Sequence, residues 1–343
     1  YSPLRTLSDQ KLAKGDQLFP VVKALQYVQV RGGTSSQGAS FFTAKNPTYG
    51  AQFTYYIAND TKTMKSKRKA SEKKLKKDNK DIPFPGWEAL DAENFEKKPQ
   101  AILRVTDASG KVLTEITGAY SKGIHRKHWD LRERLASALD IHSSRDSGIG
   151  LRSNVAPGTY YVQLFKKHKG ALRQLTPKEA FEVARLRQHV LTNPKAALHD
   201  AYKAKLNALY VKSEIMDKKL EKTKKKITAL SKAIGFAQAN QDVLHKKVYD
   251  LQKQHFDLAR KIDGSEAKGE VGEKDTPTLS FRISVASRGF YSNTYGPTAM
   301  HMESYDMAVA LLNALVPQVD ALAAATAKAI SDSQALGLPV IID

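Results

Sequence analysis

The chain has 343 residues, no cysteine, and 55 Lys and Arg against 35 Asp and Glu, a formal charge of +20 at pH 7. Without cysteine there is no disulfide, zinc–thiolate or cysteine-nucleophile chemistry, and a charge of that size favours polyanions or acidic surfaces while carrying no fold information. No run approaches the roughly 18–20 apolar residues that span a bilayer, because the longest, residues 307–325, is interrupted by Asn313, Pro317, Gln318 and Asp320.

Residues 1–35 read as an irregular linker, with Leu18, Phe19, Val21, Val22 and the residues up to Val30 supplying one strand before a Gly32-Gly33 exit. Residues 36–190 alternate with period two and predict an antiparallel β-sandwich of immunoglobulin-like type. Its strands fall at residues 52–57, 101–106, 111–116, 123–129 and 159–165, with hairpin glycine Gly110 and a tight turn at Pro157-Gly158. Phe53, Tyr55, Trp129 and Tyr160 are the expected core aromatics. Thr176, Pro177 and Glu179 have the form of a helix start, yet Phe181, Val183 and Leu186 suit a closing strand, which is favoured.

An insert at 60–100 interrupts the sandwich. Residues 62–80 hold ten Lys and Arg and predict a solvated basic helix. A proline-stiffened stretch, Ile82 to Trp87, then leads to an acidic patch (Glu88, Asp91, Glu93, Glu96), with Trp87 expected to anchor on the sandwich.

The period changes after Asn193-Pro194, a good helix start. Tyr202, Leu206, Leu209, Ser213, Met216, Leu220, Thr223, Ile227, Leu230 and Ile234 follow in steps of four and three; after Gly235, Leu244, Val248, Leu251, His255, Leu258 and Ile262 repeat them. Two such seams predict an antiparallel helical hairpin over 191–263, turning between Gly235 and Asn240, with a first arm roughly 60 Å long. Residues 264–276 predict a mobile linker. Residues 277–343 predict C-terminal helices packing on the hairpin, a third long one running from Thr298 to Leu336 with Pro317 as a kink or break. The fold class is therefore α+β, multidomain, ending in a helical bundle.

Candidate sites reduce to structural roles. His125 and His128 would point to opposite faces of a strand, so with Asp130 they make a poor metal set. His301, Glu303 and Asp306 sit near a helix start, where polar and acidic residues are expected anyway. His255 reads as a polar register-setting residue in the seam. The stretch from Arg31 to Gly38 lacks the Gly-Lys-Ser/Thr of a phosphate loop. No catalytic, cofactor or metal residue is expected. Lys73, Lys74, Lys76, Lys77 and Lys222, Lys224, Lys225, Lys226 are candidate polyanion contacts, the competing reading being solvated helix faces.

The order of these features resembles one family, the post-propeller region of bacterial BNR-repeat, sortilin-like proteins of "glycosyl hydrolase" type. The resemblance rests on Tyr1 to Ser8 as a propeller exit, Gly38 and Phe41, Pro47 and Gly50, Phe53 to Tyr56, the lysine-rich insert with Ile82 to Pro85, Val105 to Gly110, Gly123 to His125, Trp129 to Arg132, Pro157 to Tyr160, and Pro297-Thr298. It implies an upstream β-propeller in the same protein, and export to the periplasm, outer membrane or exterior of a bacterium. The chain, opening on Tyr1, is then expected to be an internal or C-terminal piece of a secreted product. No Ser-x-Asp-x-Gly-x-x-Trp blade repeat occurs in it, so any hydrolase activity would lie elsewhere. The expected function is a non-catalytic structural and assembly module, with a protein partner or a second copy meeting the helices. The alternatives are a basic polyanion- or membrane-surface-binding module, or a supporting region of a hydrolase.

Overall fold

The computed structural model describes residues 3, 5, 7–27, 47–138, 149–187, 196–236, 241–291, 296–339 and 341. The phosphate-loop candidate at 31–38, the helix start at 193–194 and the turn at 237–240 lie outside them. The fold is mixed α/β and divides into two compact units, Tyr1–Glu133 with Asn154–Val190, and Arg134–Ser153 with Leu191–Asp343.

The first unit is built on sheets. After a short helix α1 (Asp9–Leu12), β1 (Gln17–Leu18) pairs with β3 (Ala51–Ile57), which pairs with β6 (Gly123–Trp129). A second sheet has the order β2 (Ala24–Gln26), β11 (Glu179–Arg185), β9 (Gly158–His168), β4 (Gln100–Thr106), β5 (Val112–Ala119), with β10 (Ala171–Gln174) also on β9. Pairing is antiparallel except between β2 and β11. The single strand expected between Leu18 and Val30 is thus two, in different sheets. Pro20 lies between them and has no N–H to continue a ladder, so the chain leaves β3 after Phe19 donates to the Thr54 carbonyl.

Alternation places Phe53, Tyr55 and Ile57 of β3 inward, and they share one core with Trp129, Leu103, Val105, Val162, Leu164, Phe181 and Val183 from both sheets. Tyr55 buries its ring and donates its hydroxyl to the Ala119 carbonyl at 2.8 Å. Gly118 makes room for it, since a Cβ there would stand 2.2 Å from the Tyr55 oxygen.

The insert forms two helices, α2 (Met64–Lys77) and α3 (Trp87–Phe95). Arg68 clasps Glu93 through Nε and Nη2 at 2.7 and 2.8 Å, and the Met64 amide donates to Glu96. These contacts pair the start of α2 with the end of α3, leaving residues 78–86 at the far end. Trp87 is not anchored on the sheets as expected: it is 75% exposed and meets Phe84 edge-on. The polar groups of Glu93 and Glu96, not the tryptophan, fasten the insert.

The second unit is helical: α4 (Ala196–Ala233), a 3-10 turn Ile234–Phe236, α5 (Gln241–Asp263), α6 (Glu266–Glu270), α7 (Leu279–Tyr291) and α8 (Ala299–Gln334). Tyr202, Leu206, Leu209, Met216, Leu220, Ile227, Leu230 and Ile234, with Leu244, Val248, Leu251, Leu258 and Ile262, are buried in one core. Asp217 of α4 lies close to Asp263 of α5, and Lys224 close to His255, so sequence number falls along α5 as it rises along α4. Lys219 pairs with Asp320, whereas Lys247 reaches Asp332 and Lys261 reaches Gln318, which sets α8 parallel to α4 and opposed to α5.

α8 carries its buried stripe at His301, Ser304, Ala308, Leu312, Leu315, Val319, Leu322, Thr326, Ala329 and Ser333, again in steps of three and four. It runs through Pro317 without ending there. The proline costs one hydrogen bond, to the carbonyl of Asn313, which is exposed and open to water, while Leu315 and Val319 hold the helix on either side. Among the described residues α8 is the one helix long and apolar enough, by length and composition, to cross a membrane. It packs against α4, α5 and α7 along its buried stripe, although only 28% of its most apolar window is buried.

Two expectations fail here. The expected linker at 264–276 is built: Asp275 accepts from the amides of Ser265 and Thr276, both at 2.8 Å, and from Lys268 at 3.1 Å, around α6. Those bonds, the Ser265 amide first, bring the Asp275 carboxyl down to about 2. The second concerns residues 134–153, expected in the sandwich. A ribbon of β7 (Arg132–Ala136) and β8 (Ile149–Asn154) leaves the first unit, and Leu135 packs on the helical core while Ser137 donates to Glu214.

Candidate functional site

Of the four histidines flagged in the sequence, His301, His255 and His125 contact other groups and His128 is exposed. The His301 ring takes the amide of Thr298 at Nδ1, 3.1 Å, and meets its hydroxyl at 2.9 Å, closing a capping box at the start of α8. The ring fits because residue 289 is glycine: a Cβ there would lie 2.5 Å from it. Tyr202 ties the same corner together, donating to the carbonyls of Ala286 and His301 at 2.9 and 3.1 Å. His255 sits half-buried in the seam, where desolvation first and Lys224 second depress its pKa. His125 lies against Tyr55 while His128 is exposed, and no group of three metal-ligating side chains occurs among the described residues.

The lysine candidates separate into two groups. Lys73, Lys74, Lys76 and Lys77 line α2 in the first unit and make no ion pair among the described residues. Lys222, Lys224, Lys225 and Lys226 belong to α4 in the second unit, where Lys225 pairs with Glu221 at 3.0 Å. The two runs belong to different units.

One groove of about 480 Å³ opens between α4 and α7, lined by Tyr210, Glu214, Asp217, Ser284, Ser287 and Arg288 among others. Its chemistry was not legible in the sequence, because Asp217 gains its character from partners far along the chain. Ser213 donates to it at 3.4 Å, Asp263 stands near, and Ser280 holds Asp263 at 2.6 Å. Desolvation first, then the charge of Asp263, raises the Asp217 carboxyl to about 6. The groove holds carboxylates, hydroxyls and a guanidinium, but no hydroxyl paired with a histidine base.

A folded-state value of about 6 against an ordinary 3.8 means that folding favours the protonated form. The stability this gives is full below the ordinary value and is lost as pH rises through about 6. Asp217→Asn, uncharged throughout, should therefore stabilise the helical unit at pH 8 and make no difference near pH 4. Because Asp217 is partly open to solvent, a gain of about 1 kcal/mol is expected, far below what full burial would give. Urea titrations followed by helical circular dichroism at both pH values measure it; equal gains at both would exclude a charge effect.

No family model matches this sequence, and no curated protein and no solved structure matches it.

Proposed function

We propose that this chain is a non-catalytic structural and assembly module of an exported bacterial β-propeller protein, an immunoglobulin-like sandwich followed by an antiparallel helical hairpin and a third long helix. The observation that carries the non-catalytic reading is the fate of its chemistry-bearing side chains. His301 caps a helix, His255 sits in a seam, Glu93 and Arg68 clasp two helices, and no histidine is among the residues that line the polar groove.

The sandwich reading is supported by Tyr160, whose hydroxyl donates at 2.6 Å to the carbonyl of Ala156, four residues upstream, as the corner tyrosine does in such folds. Trp129 packs edge-on against it with ring centroids 5.6 Å apart. Assembly is supported by α5, where Tyr249 and Phe256, seven residues apart and thus on one side of the helix, are 64% and 61% exposed. Aromatic pairs of this kind are enriched at interfaces and unusual on open helix faces.

Sedimentation equilibrium tests the reading. The chain should associate with rising concentration, and the double variant Tyr249→Ser with Phe256→Ser should stay monomeric with an unchanged helical spectrum. Turnover of glycosides by the chain alone would overturn the reading in favour of a hydrolase.

A further inference from the structure

We propose that the tip of the α2–α3 insert docks on an anionic phospholipid bilayer, with Ile82, Phe84 and Trp87 entering the interface and the outward lysines of α2 meeting the headgroups. This goes beyond the assembly reading and does not depend on it.

Three observations converge. The first is apolar exposure: Ile82, Phe84 and Trp87 are 48%, 61% and 75% exposed. Phe84 and Trp87 form an edge-on pair with centroids 5.0 Å apart, so the aromatics make one patch. Water-exposed aromatics held together in a short projection are unfavourable unless something covers them.

The second is rigidity. Pro83 and Pro85 fix φ on both sides of Phe84, Gly86 turns the chain at φ 87, and Arg68 with Glu93 clasps the two helices away from the tip. A stiff tip loses little entropy on docking.

The third is charge. Lys67, Lys73, Lys74, Lys76 and Lys77 make no ion pair among the described residues, and Lys65, Lys69 and Lys80 add to the same exposed stretch. Glu72 and Glu93 are occupied by Arg68, and Met64 and Lys169 engage Glu96. Asp78, Asp81, Glu88 and Asp91 remain as the opposing acids, outnumbered by the lysines. Basic residues beside Trp, Phe and an aliphatic side chain make the pattern of an interfacial anchor on acidic lipid. A single-stranded nucleic acid would use the rings but would gain nothing from Ile82 and the two prolines.

The chain reports on itself, because it has two tryptophans and Trp129 is buried. Mixed phosphatidylglycerol–phosphatidylcholine vesicles should shift tryptophan emission to the blue and sediment the full chain, and salt should reverse both. Phosphatidylcholine vesicles alone should do neither. Phe84→Ser with Trp87→Ser, and separately Lys73→Gln, Lys74→Gln, Lys76→Gln and Lys77→Gln combined, should each weaken co-sedimentation by about tenfold or more. All six side chains are exposed, so the thermal melts should match the parent. Vesicle binding no better with phosphatidylglycerol than without it, or binding intact in both variants, would overturn the proposal. Tighter binding to single-stranded DNA than to the vesicles would also overturn it and assign the tip to nucleic acid.

Discussion

Trp129→Ala is expected to cost about 3–5 kcal/mol, the range for truncating a large buried aromatic. The ring is 2% exposed and packs edge-on against both Tyr160 and Phe181, at 5.6 and 6.0 Å. Its indole N–H donates to the Arg132 carbonyl at 2.9 Å, fixing the corner where β6 gives way to β7. Alanine would remove the filling of the core and that tether together. The backbone at this corner is closely packed as well: a Cβ at Gly50 would approach the Trp129 carbonyl oxygen to 1.8 Å. Urea unfolding followed by the near-ultraviolet spectrum measures the loss. A cost below about 1 kcal/mol would mean that the surrounding rings close over the gap, contrary to this packing.

What was readable in the sequence follows from range of interaction. The steps of four and three in α4 and α5 state which side of a helix is apolar, and a helix has no other use for such a stripe than burial. Alternation did the same for β3, where Phe53, Tyr55 and Ile57 turn inward. Position relative to other elements was not readable. Trp87 was expected to anchor on the sandwich, yet it is 75% exposed, and the insert is held instead by Arg68 reaching Glu93, 25 residues away. Residues 134–153 fell inside the range expected for the sandwich, and the packing of Leu135 on the helical core, which sets them with the second unit, is a long-range contact that no local pattern shows. The linker at 264–276 looked structureless because its order comes from one carboxylate, Asp275, bonded to backbone amides that leave no mark in composition. Asp217 likewise became a perturbed acid through desolvation first and the charge of Asp263 second, neither of which a local pattern shows.

Leu220→Asp should be the most damaging single change in the helical unit, at least about 4 kcal/mol. Leu220 is 6% exposed near the middle of α4 and falls between the Asp217–Asp263 and Lys224–His255 contacts, so α5 covers it on one side. The nearby Lys219–Asp320 pair brings α8 against the other. Aspartate there loses the transfer energy of the leucine and leaves a cavity, which alone costs about 2–5 kcal/mol. It must also bury a carboxylate without a partner or take up a proton to avoid doing so. Leu220→Ala isolates the first part and should cost less; Lys222→Asp, on the exposed face, should stay within about 0.5 kcal/mol of the parent. Helical circular dichroism in urea separates the three. The same samples test the proposed hairpin: spin labels at residues 226 and 246 should lie within roughly 20 Å, since packed helix axes run 8–10 Å apart. That short distance should vanish in Leu220→Asp and persist in Lys222→Asp. A parent chain with labels twice as far apart would exclude the hairpin, because one continuous rod would then carry both seams.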